Sequence, residues 1–144
     1  MEDVIVIGGG VIGCLTLRYL ASYRLRVRLI EKDFDLASGA TMANSAIVHA
    51  GYDPEPGTEK ARFNAAGSRL YPALARELDF LYRPTPSLVT AFGGEQEETL
   101  ERLLARGKEN GVERLSILRG EELFAAEPNL ITAYSYTGFY SKTA

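Results

Sequence analysis

The sequence is poor in the residues that build several kinds of functional site. Its 144 residues include one cysteine, Cys14, one histidine, His49, and no tryptophan. A single cysteine excludes an intramolecular disulfide and a cysteine-built zinc site, and a single histidine excludes a multi-histidine metal centre. We therefore expect no metal site. Little cysteine is typical of a reducing compartment, so the cytoplasm is the predicted location.

Charge and hydropathy make two further classes of partner unexpected. Lys and Arg total 16 against 19 Asp and Glu, a net charge of -3, whereas nucleic-acid binding by phosphate neutralisation needs a basic surface. No apolar run reaches the ~18 residues that span a membrane. The acidic Glu2 and Asp3 stand where a secretory signal carries basic residues. We therefore expect no nucleic-acid partner and no membrane span.

The pattern of apolar residues predicts an α/β fold. The run Val4-Ile5-Val6-Ile7 is typical of a parallel strand that is buried on both faces. A helix, indicated by helical spacing over residues 11–23, and a second predicted strand at 26–30 complete a β-α-β unit. Residues 32–57 lack a period and predict a long functional loop. Thr58 is the predicted N-cap of a helix to about Asp79, which Pro72 should kink or divide.

The remaining elements alternate along the chain. They are a strand at 87–92, a helix at 95–110 followed by Gly111 as its C′ residue, a strand near 112–117 and a short helix at 119–126.

The motif Gly8-x-Gly10-x-x-Gly13 follows the first strand and opens the first helix. Its glycines permit a tight turn, close approach to a pyrophosphate and close packing of helix on strand. Glu31 ends the second strand 18 residues after Gly13, where a carboxylate can accept hydrogen bonds from an adenosine ribose and would repel a 2′-phosphate. We therefore predict a dinucleotide site. The glycine pattern alone leaves FAD and NAD open, and an ordinary glycine-rich turn is the alternative.

Three stretches together resemble the FAD-dependent oxidoreductases of the D-amino-acid-oxidase superfamily. They are Gly8–Gly13, Glu31-Lys32, and the block Asn44-Ser45-Ala46-Ile47-Val48-His49-Ala50-Gly51. Within that group, His49-Ala50-Gly51-Tyr52 with Pro56-Gly57-Thr58-x-Lys60-Ala61 is similar to the glycerol-3-phosphate dehydrogenase type and to L-2-hydroxyglutarate oxidase. The similarity extends over about residues 2–130.

The resemblance implies FAD as cofactor and oxidation of a carbinol or amine C–H bond. It implies a cofactor site made of Gly8, Gly10, Val11, Ile12, Gly13, Glu31, Lys32, Ser38, Ala43, Asn44, Ser45 and His49. In this interpretation Glu31 holds the adenosine ribose, and Lys32 and Ser38 lie near the adenosine and diphosphate. Ala43, Asn44 and Ser45 run beside the ribityl chain and flavin, with His49 close to the isoalloxazine ring.

His49 is the predicted catalytic residue, and three roles stay open for it. It can position the loop and cofactor, take the hydroxyl proton of a substrate as a general base, or carry the flavin covalently. Tyr52 and Asp53 are interpreted as loop architecture, and Cys14 as a small buried apolar residue and not a redox thiol.

The resemblance also predicts the domain organisation. Residues 1–57 are the FAD-binding β-α-β unit, the N-terminal part of a Rossmann-like domain, together with the flavin-contacting loop. Residues 58–83 are a helical segment that packs on it, and 84–128 start an α+β substrate or cap domain. Residues 129–144 are expected to be an atypical, disordered end, because the sequence after Leu130 fits the family poorly. The aromatic cluster at 134–140 is interpreted as a strand or as part of that end.

Relatives of this type are several hundred residues long, so the chain is expected to be a fragment. The predicted function is oxidation of a small hydroxy acid or polyol phosphate, such as glycerol 3-phosphate. The alternatives are oxidation of L-2-hydroxyglutarate or of an amino acid, or a catalytically incompetent fragment. The full-length enzyme is expected to pass electrons to an acceptor partner, and full-length relatives to reside in the cytoplasm or at the inner face of the membrane.

Overall fold

The computed structural model describes residues 1–130 and 137–142, which belong to two compact units. The N-terminal unit is Met1–Ile47 and the C-terminal unit is Val48–Ala144. This division falls earlier than the sequence-based boundary after residue 57. The reason is that residues 51–55 form hydrogen bonds with a helix of the C-terminal unit.

The N-terminal unit is the predicted β-α-β unit. It consists of β1 (Val4–Ile7), α1 (Val11–Leu20) and β2 (Val27–Ile30). The two strands are parallel, with Val4 opposite Val27 and Ile7 opposite Ile30. The helix ends earlier than the predicted residue 23, because Ser22 donates from both its backbone and its hydroxyl to the carbonyl of Tyr19 and forms a turn.

The C-terminal unit is a three-stranded antiparallel sheet with helices. Its elements are α2 (Glu59–Leu78), β3 (Ser87–Ala91), α3 (Gly94–Glu109), β4 (Leu115–Arg119), α4 (Gly120–Ala126) and β5 (Thr137–Ser141). The strand order is β3-β5-β4, so β5 lies between two strands that precede it in the chain. The predicted elements between residues 58 and 126 are therefore confirmed, with shifts of a few residues at their ends.

The central strand confirms one of the two interpretations of the aromatic cluster, a strand, for Thr137–Ser141, and the expectation of a disordered end is wrong for these residues. Thr137–Ser141 pairs with both neighbours, and Phe139 lies opposite Val89 and Ile117. The side chain of Phe139 is fully buried against Ala91 and Leu100. The sequence did not reveal this pairing because its partners lie 18 to 54 residues away along the chain. The rest of the predicted end, residues 131–136 and 143–144 with Tyr134 and Tyr136, lies outside the described residues.

Local signals at the helix ends are confirmed. The hydroxyl of Thr58 accepts a hydrogen bond from the backbone N–H of Ala61 at 3.2 Å, as an N-cap does. Gly111 has a φ of +73°, and the N–H of Val112 donates to the carbonyl of Gly107 at 2.9 Å in a Schellman arrangement. Of the two effects predicted for Pro72, a division of the helix is wrong, since α2 continues through it, and a kink stays a prediction. Within the described ranges, none of the helices combines the length and hydropathy that a membrane crossing needs.

Candidate functional site

The glycine-rich turn brings α1 into direct contact with β1. A Cβ atom on Gly13 would lie 1.8 Å from the carbonyl oxygen of Gly8, so only glycine fits there. Gly8 itself has a φ of +99°, which favours glycine, and its N–H donates to the carbonyl of Ile30 at 2.8 Å. The turn thus extends the β1–β2 pairing and directs the N-terminus of α1 towards the carboxyl ends of both strands.

A hydroxyl from the following loop caps α1. The N-cap residue, Gly10, has no side chain to do so, and the N–H of Val11 donates to the Thr41 hydroxyl at 2.9 Å. A Cβ on Gly10 would approach that hydroxyl oxygen to 3.1 Å. Thr41 was not among the predicted site residues. The only signal in the sequence is that a hydroxyl residue stands in a loop of small residues.

Glu31 accepts hydrogen bonds from three backbone N–H groups. Its carboxylate oxygens lie 2.5 Å from the nitrogen of Gly9, 2.7 Å from that of Lys32 and 3.0 Å from that of Asp33. The donors from Asp33 and Gly9 hold the pKa of the Glu31 carboxyl below its ordinary value of 4.5, and partial desolvation opposes them. The carboxylate therefore stays ionised near neutral pH beside the glycine-rich turn.

A cleft of about 540 Å³ lies in the N-terminal unit, beside the glycine-rich turn. The structure brings five of the predicted cofactor residues together in its wall: Gly8, Gly10, Glu31, Lys32 and Ser38. Asp33 and Thr41 also line it and were missed from the sequence. The Lys32 ammonium lies 3.1 Å from the Asp33 carboxylate, and both are exposed.

The cleft has the chemistry of a dinucleotide site. Backbone N–H groups at a helix N-terminus can bind a diphosphate, and an ionised carboxylate at the end of the second strand can accept hydrogen bonds from a ribose. Its volume lies within the range of roughly 300–1,000 Å³ that is common for ligand sites. A Cβ on Gly10 would narrow the approach to this helix end. The residues present therefore fit the dinucleotide part of FAD.

The other predicted contacts lie outside the wall of this cleft. Val11, Ile12 and Gly13 form the first turn of α1, where the side chains of Val11 and Ile12 are exposed. Ala43, Asn44 and Ser45 are exposed as well. The Asn44 side chain folds back on its own loop, where it donates to the carbonyl of Thr41 and accepts from the N–H of Ala46.

His49 lies in the C-terminal unit, in an exposed position directly before the buried Ala50 and Gly51. Gly51 has a φ of +107°, and a Cβ there would lie 3.1 Å from the backbone of Ala65 in α2. The ring of Tyr52 packs edge-on against Phe139, with centroids 4.7 Å apart. Tyr52 thus packs against the core of the C-terminal unit, which fits its interpretation as a structural residue of the loop.

Cys14 belongs to the packing of the glycine-rich turn. Its thiol donates to the carbonyl of Gly9 at 3.2 Å, and the residue is half-buried. This contact supports a structural role for Cys14 and not a redox role.

The sequence matches a known protein family over nearly its whole length. The family model described as "DAO: FAD dependent oxidoreductase" matches residues 3–144. This match includes residues 131–144, so the expectation that the sequence departs from the family after Leu130 is wrong.

Curated relatives are similar over most of the chain. A glycerol 3-phosphate dehydrogenase of Caloramator mitchellensis is 46% identical over 130 residues, and a glycerol 3-phosphate oxidase of Mycoplasma pneumoniae is 38% identical. A mitochondrial L-2-hydroxyglutarate dehydrogenase of Dictyostelium discoideum is 33% identical. These alignments cover 90%, 88% and 88% of this chain but only 27%, 34% and 29% of the relatives. The chain thus spans about a third or less of their length.

Solved structures show the same fold. The dithionite-reduced L-alpha-glycerophosphate oxidase of Mycoplasma pneumoniae with FAD bound superimposes with a TM-score of 0.79 at 34% identity, over 97% of this chain and 38% of that one. Glycine oxidase from Geobacillus kaustophilus gives a TM-score of 0.78 at 28% identity, over 96% and 38%. From the glycine-rich turn, the acid after the second strand and a family match over residues 3–144, we conclude that this chain belongs to the DAO family of FAD-dependent oxidoreductases.

Proposed function

We propose that the N-terminal unit holds the adenosine diphosphate part of FAD in the 540 Å³ cleft. The observation that carries this proposal is the Glu31 carboxylate, ionised and fixed by three backbone N–H groups beside the glycine-rich turn. Glu31 would bind the ribose hydroxyls, and the N–H groups at the start of α1 would bind the diphosphate. Lys32 and Ser38, in the same wall, would contact the adenosine and diphosphate.

The loop that follows would reach the rest of the cofactor. In this proposal Ala43, Asn44 and Ser45 run beside the ribityl chain and flavin. Their small, exposed side chains support this role, because they leave the backbone open to a ligand. When bound, FAD supplies the two-electron acceptor for the oxidation of a carbon–hydrogen bond.

We propose that the intact protein oxidises glycerol 3-phosphate or a similar small polyol phosphate. The identity of 46% to a glycerol 3-phosphate dehydrogenase supports this choice. Oxidation of L-2-hydroxyglutarate is the second candidate, which the identity of 33% to such a dehydrogenase supports. In either reaction an alcohol carbon loses a hydrogen with its electron pair and the hydroxyl loses a proton.

His49 is the proposed acceptor of that hydroxyl proton, on a ring nitrogen. Its imidazole is exposed, and a neutral imidazole has a ring nitrogen that can accept a proton. His49 is the sole histidine of the sequence, so this stretch of the protein offers no second imidazole for the task. A cytoplasmic location and a partner that accepts the electrons are further parts of this proposal.

The proposal of a FAD site is tested by titrating the intact protein that carries this chain with FAD and following flavin fluorescence. We expect Glu31→Ala to weaken FAD binding at least about tenfold, because hydrogen bonds to a charged group contribute about 1.5–3 kcal/mol each. Asp3→Ala is the matched control. Asp3 also accepts a backbone N–H, that of Arg26 at 2.8 Å, in the same unit but outside the cleft wall. Unchanged affinity in Glu31→Ala, or an equal loss in both variants, would contradict the proposal.

The choice of substrate is tested with the same intact protein. Reduction of a redox dye is measured with glycerol 3-phosphate, L-2-hydroxyglutarate and glycine as alternative electron donors. We expect glycerol 3-phosphate to give the highest kcat/KM. A preference for L-2-hydroxyglutarate would establish the second candidate, and reduction by glycine alone would contradict both.

A further inference from the structure

One side chain at the end of α3 forms hydrogen bonds with the backbone of the loop that follows His49. The side-chain nitrogen of Asn110 donates to the carbonyl oxygens of Gly51 at 3.0 Å and of Pro54 at 2.8 Å. An amide has two N–H groups, so this one residue satisfies two carbonyls of the loop at once. The two carbonyls belong to residues 59 and 56 positions earlier in the chain.

Asn110 is itself held in place by the way in which α3 ends. It is the C-cap residue, and its N–H donates to the carbonyl of Arg106 at 2.9 Å. The next residue, Gly111, has the left-handed conformation that closes the helix. The Asn110 side chain therefore projects from a fixed backbone and not from a free loop.

Residues 51–55, which we call the clamped loop, have further contacts with α3. The Arg106 guanidinium donates to the carbonyl of Asp53 at 2.8 Å and lies 3.2 Å from the carboxylate of Glu55. A Cβ on Gly107 would lie 2.9 Å from the Cβ of Tyr52, so the loop and helix approach each other as closely as glycine allows. The clamped loop thus has little freedom to shift along the helix.

We infer that Asn110 is a positioning residue for His49. Only the buried Ala50 separates His49 from Gly51, the first residue that Asn110 holds. The side chain of His49 is exposed, so its location depends on the path of its backbone. Asn110 fixes that path, although it lies 61 residues later in the sequence. This inference rests on the proposed role of His49, because a histidine that takes a proton must be placed closely.

The first readout is the imidazole NMR signal of His49 in the intact protein, assigned by its loss in His49→Gln. Asn110→Asp keeps the size of the side chain but replaces the two N–H donors by an acceptor, and Asn110→Ala removes the donors altogether. We expect either change to shift or broaden the His49 signal. Leu123→Val is the control for lowered stability, because Leu123 is fully buried in α4 beside Gly138. Successive residues of a strand face opposite sides of a sheet, so Leu123 lies on the side opposite to Phe139, which Tyr52 of the clamped loop contacts.

The second readout separates positioning from folding. With FAD bound and substrate in excess, both Asn110 variants should lower kcat about tenfold to a hundredfold, with KM changed less than about threefold, since a misplacement of ~1 Å has an effect of this size. Leu123→Val should leave kcat and the His49 signal unchanged. Thermal unfolding followed by circular dichroism shows that each variant is folded.

Two results would overturn the inference: a His49 signal that is unchanged in folded Asn110→Ala, or an equal change in Leu123→Val. If His49→Gln retains full activity while the Asn110 variants still shift the His49 signal, the proposed proton-acceptor role of His49 fails but the positioning contact stands. The two ideas can therefore fail separately.

Discussion

The two units of the chain are organised around different kinds of interaction. The C-terminal unit has an apolar core, in which Phe139 and Leu123 are fully buried and Leu100 nearly so. Every residue of the N-terminal unit is described, and among them none of the large apolar side chains is buried. Ile7 in β1 is 85% exposed, and Ile5, two residues earlier in the same strand, is 52% exposed.

The N-terminal unit is instead tied together by polar contacts around its glycine-rich turn. The N–H of Gly9 donates a hydrogen bond to the Glu31 carboxylate, and the carbonyl of Gly9 accepts hydrogen bonds from the N–H of Ala37 and the thiol of Cys14. A two-stranded sheet with four residues in each strand is marginal in isolation. The difference teaches that apolar packing stabilises the C-terminal unit, whereas polar contacts around the glycine-rich turn hold the N-terminal unit together. The proposed binding of FAD in the cleft would stabilise the N-terminal unit further.

The largest expected effect comes from the core of the C-terminal unit. Phe139→Ala should lower the free energy of unfolding by about 3–5 kcal/mol, because it empties the centre of the sheet. The measurement is urea denaturation followed by circular dichroism. Phe34→Ala in the N-terminal unit is the control, since Phe34 is fully exposed and should have almost no effect. Similar losses in the two variants would break the comparison between the units.

The next effect concerns the close contact in the N-terminal unit. Gly13→Ala should destabilise this unit by about 1–3 kcal/mol, because the added methyl group meets the Gly8 carbonyl and forces α1 away from β1. Amide hydrogen exchange in α1 measures the loss. Gly67→Ala places the same change in α2, where nothing lies within 4 Å of the new Cβ, and should be neutral or stabilising. Unaltered amide exchange in Gly13→Ala would show that α1 and β1 can accommodate a methyl group at this contact, against the prediction.

Smaller effects are expected from the threonine that caps the first helix in each unit. Thr58 caps its own helix, α2, whereas Thr41 caps α1 from 30 residues further along the chain. Thr58→Ala should cost about 1 kcal/mol, as for other N-caps. Thr41→Ala should cost less in stability, because the N–H of Val11 is exposed and water can replace the hydroxyl. Amide hydrogen exchange at the first turn of each helix, measured over a series of urea concentrations, gives the stability lost in each variant. A larger loss of stability in Thr41→Ala than in Thr58→Ala would contradict this prediction.

The smallest effect is a dependence of stability on pH. The pKa of Glu31 is lowered in the folded chain by its backbone donors, so its contribution to stability is present above the ordinary value of 4.5 and is lost as pH falls through the lower folded value. Glu31→Gln should therefore reduce the acid sensitivity of the N-terminal unit below about pH 4.5. Melting curves over a series of acidic buffers measure this change. An identical acid response in the variant would mean that other carboxyl groups, such as Asp3, dominate.

Local sequence rules predicted the features that depend on neighbouring residues. The β-α-β unit, the Thr58 cap and the left-handed Gly111 follow from apolar periodicity and from helix-end chemistry within a few positions. The cleft residues Gly8, Gly10 and Glu31 were also found this way, because their motif has fixed spacing.

Contacts between distant parts of the chain escaped those rules. The central place of β5 depends on strands whose paired residues lie 18 to 54 positions earlier, and sequence periodicity carries no information about such pairing. The cap that Thr41 gives to α1 and the hold of Asn110 on the clamped loop are of the same kind. Each of these polar side chains could bond in many ways, and only the folded backbone selects its partner.

The sequence by itself determined where the glycine-rich turn begins, which acid stands at the end of the second strand and which family the chain resembles. These features are set by residue type and short spacing, which act through local sterics and the direction of backbone N–H groups. The tertiary structure alone decided that Glu31 bonds to Gly9, that Phe139 fills the core and that Asn110 holds the residues after His49. Those contacts arise because folding brings distant segments within hydrogen-bonding or packing distance, a relation that linear spacing does not contain.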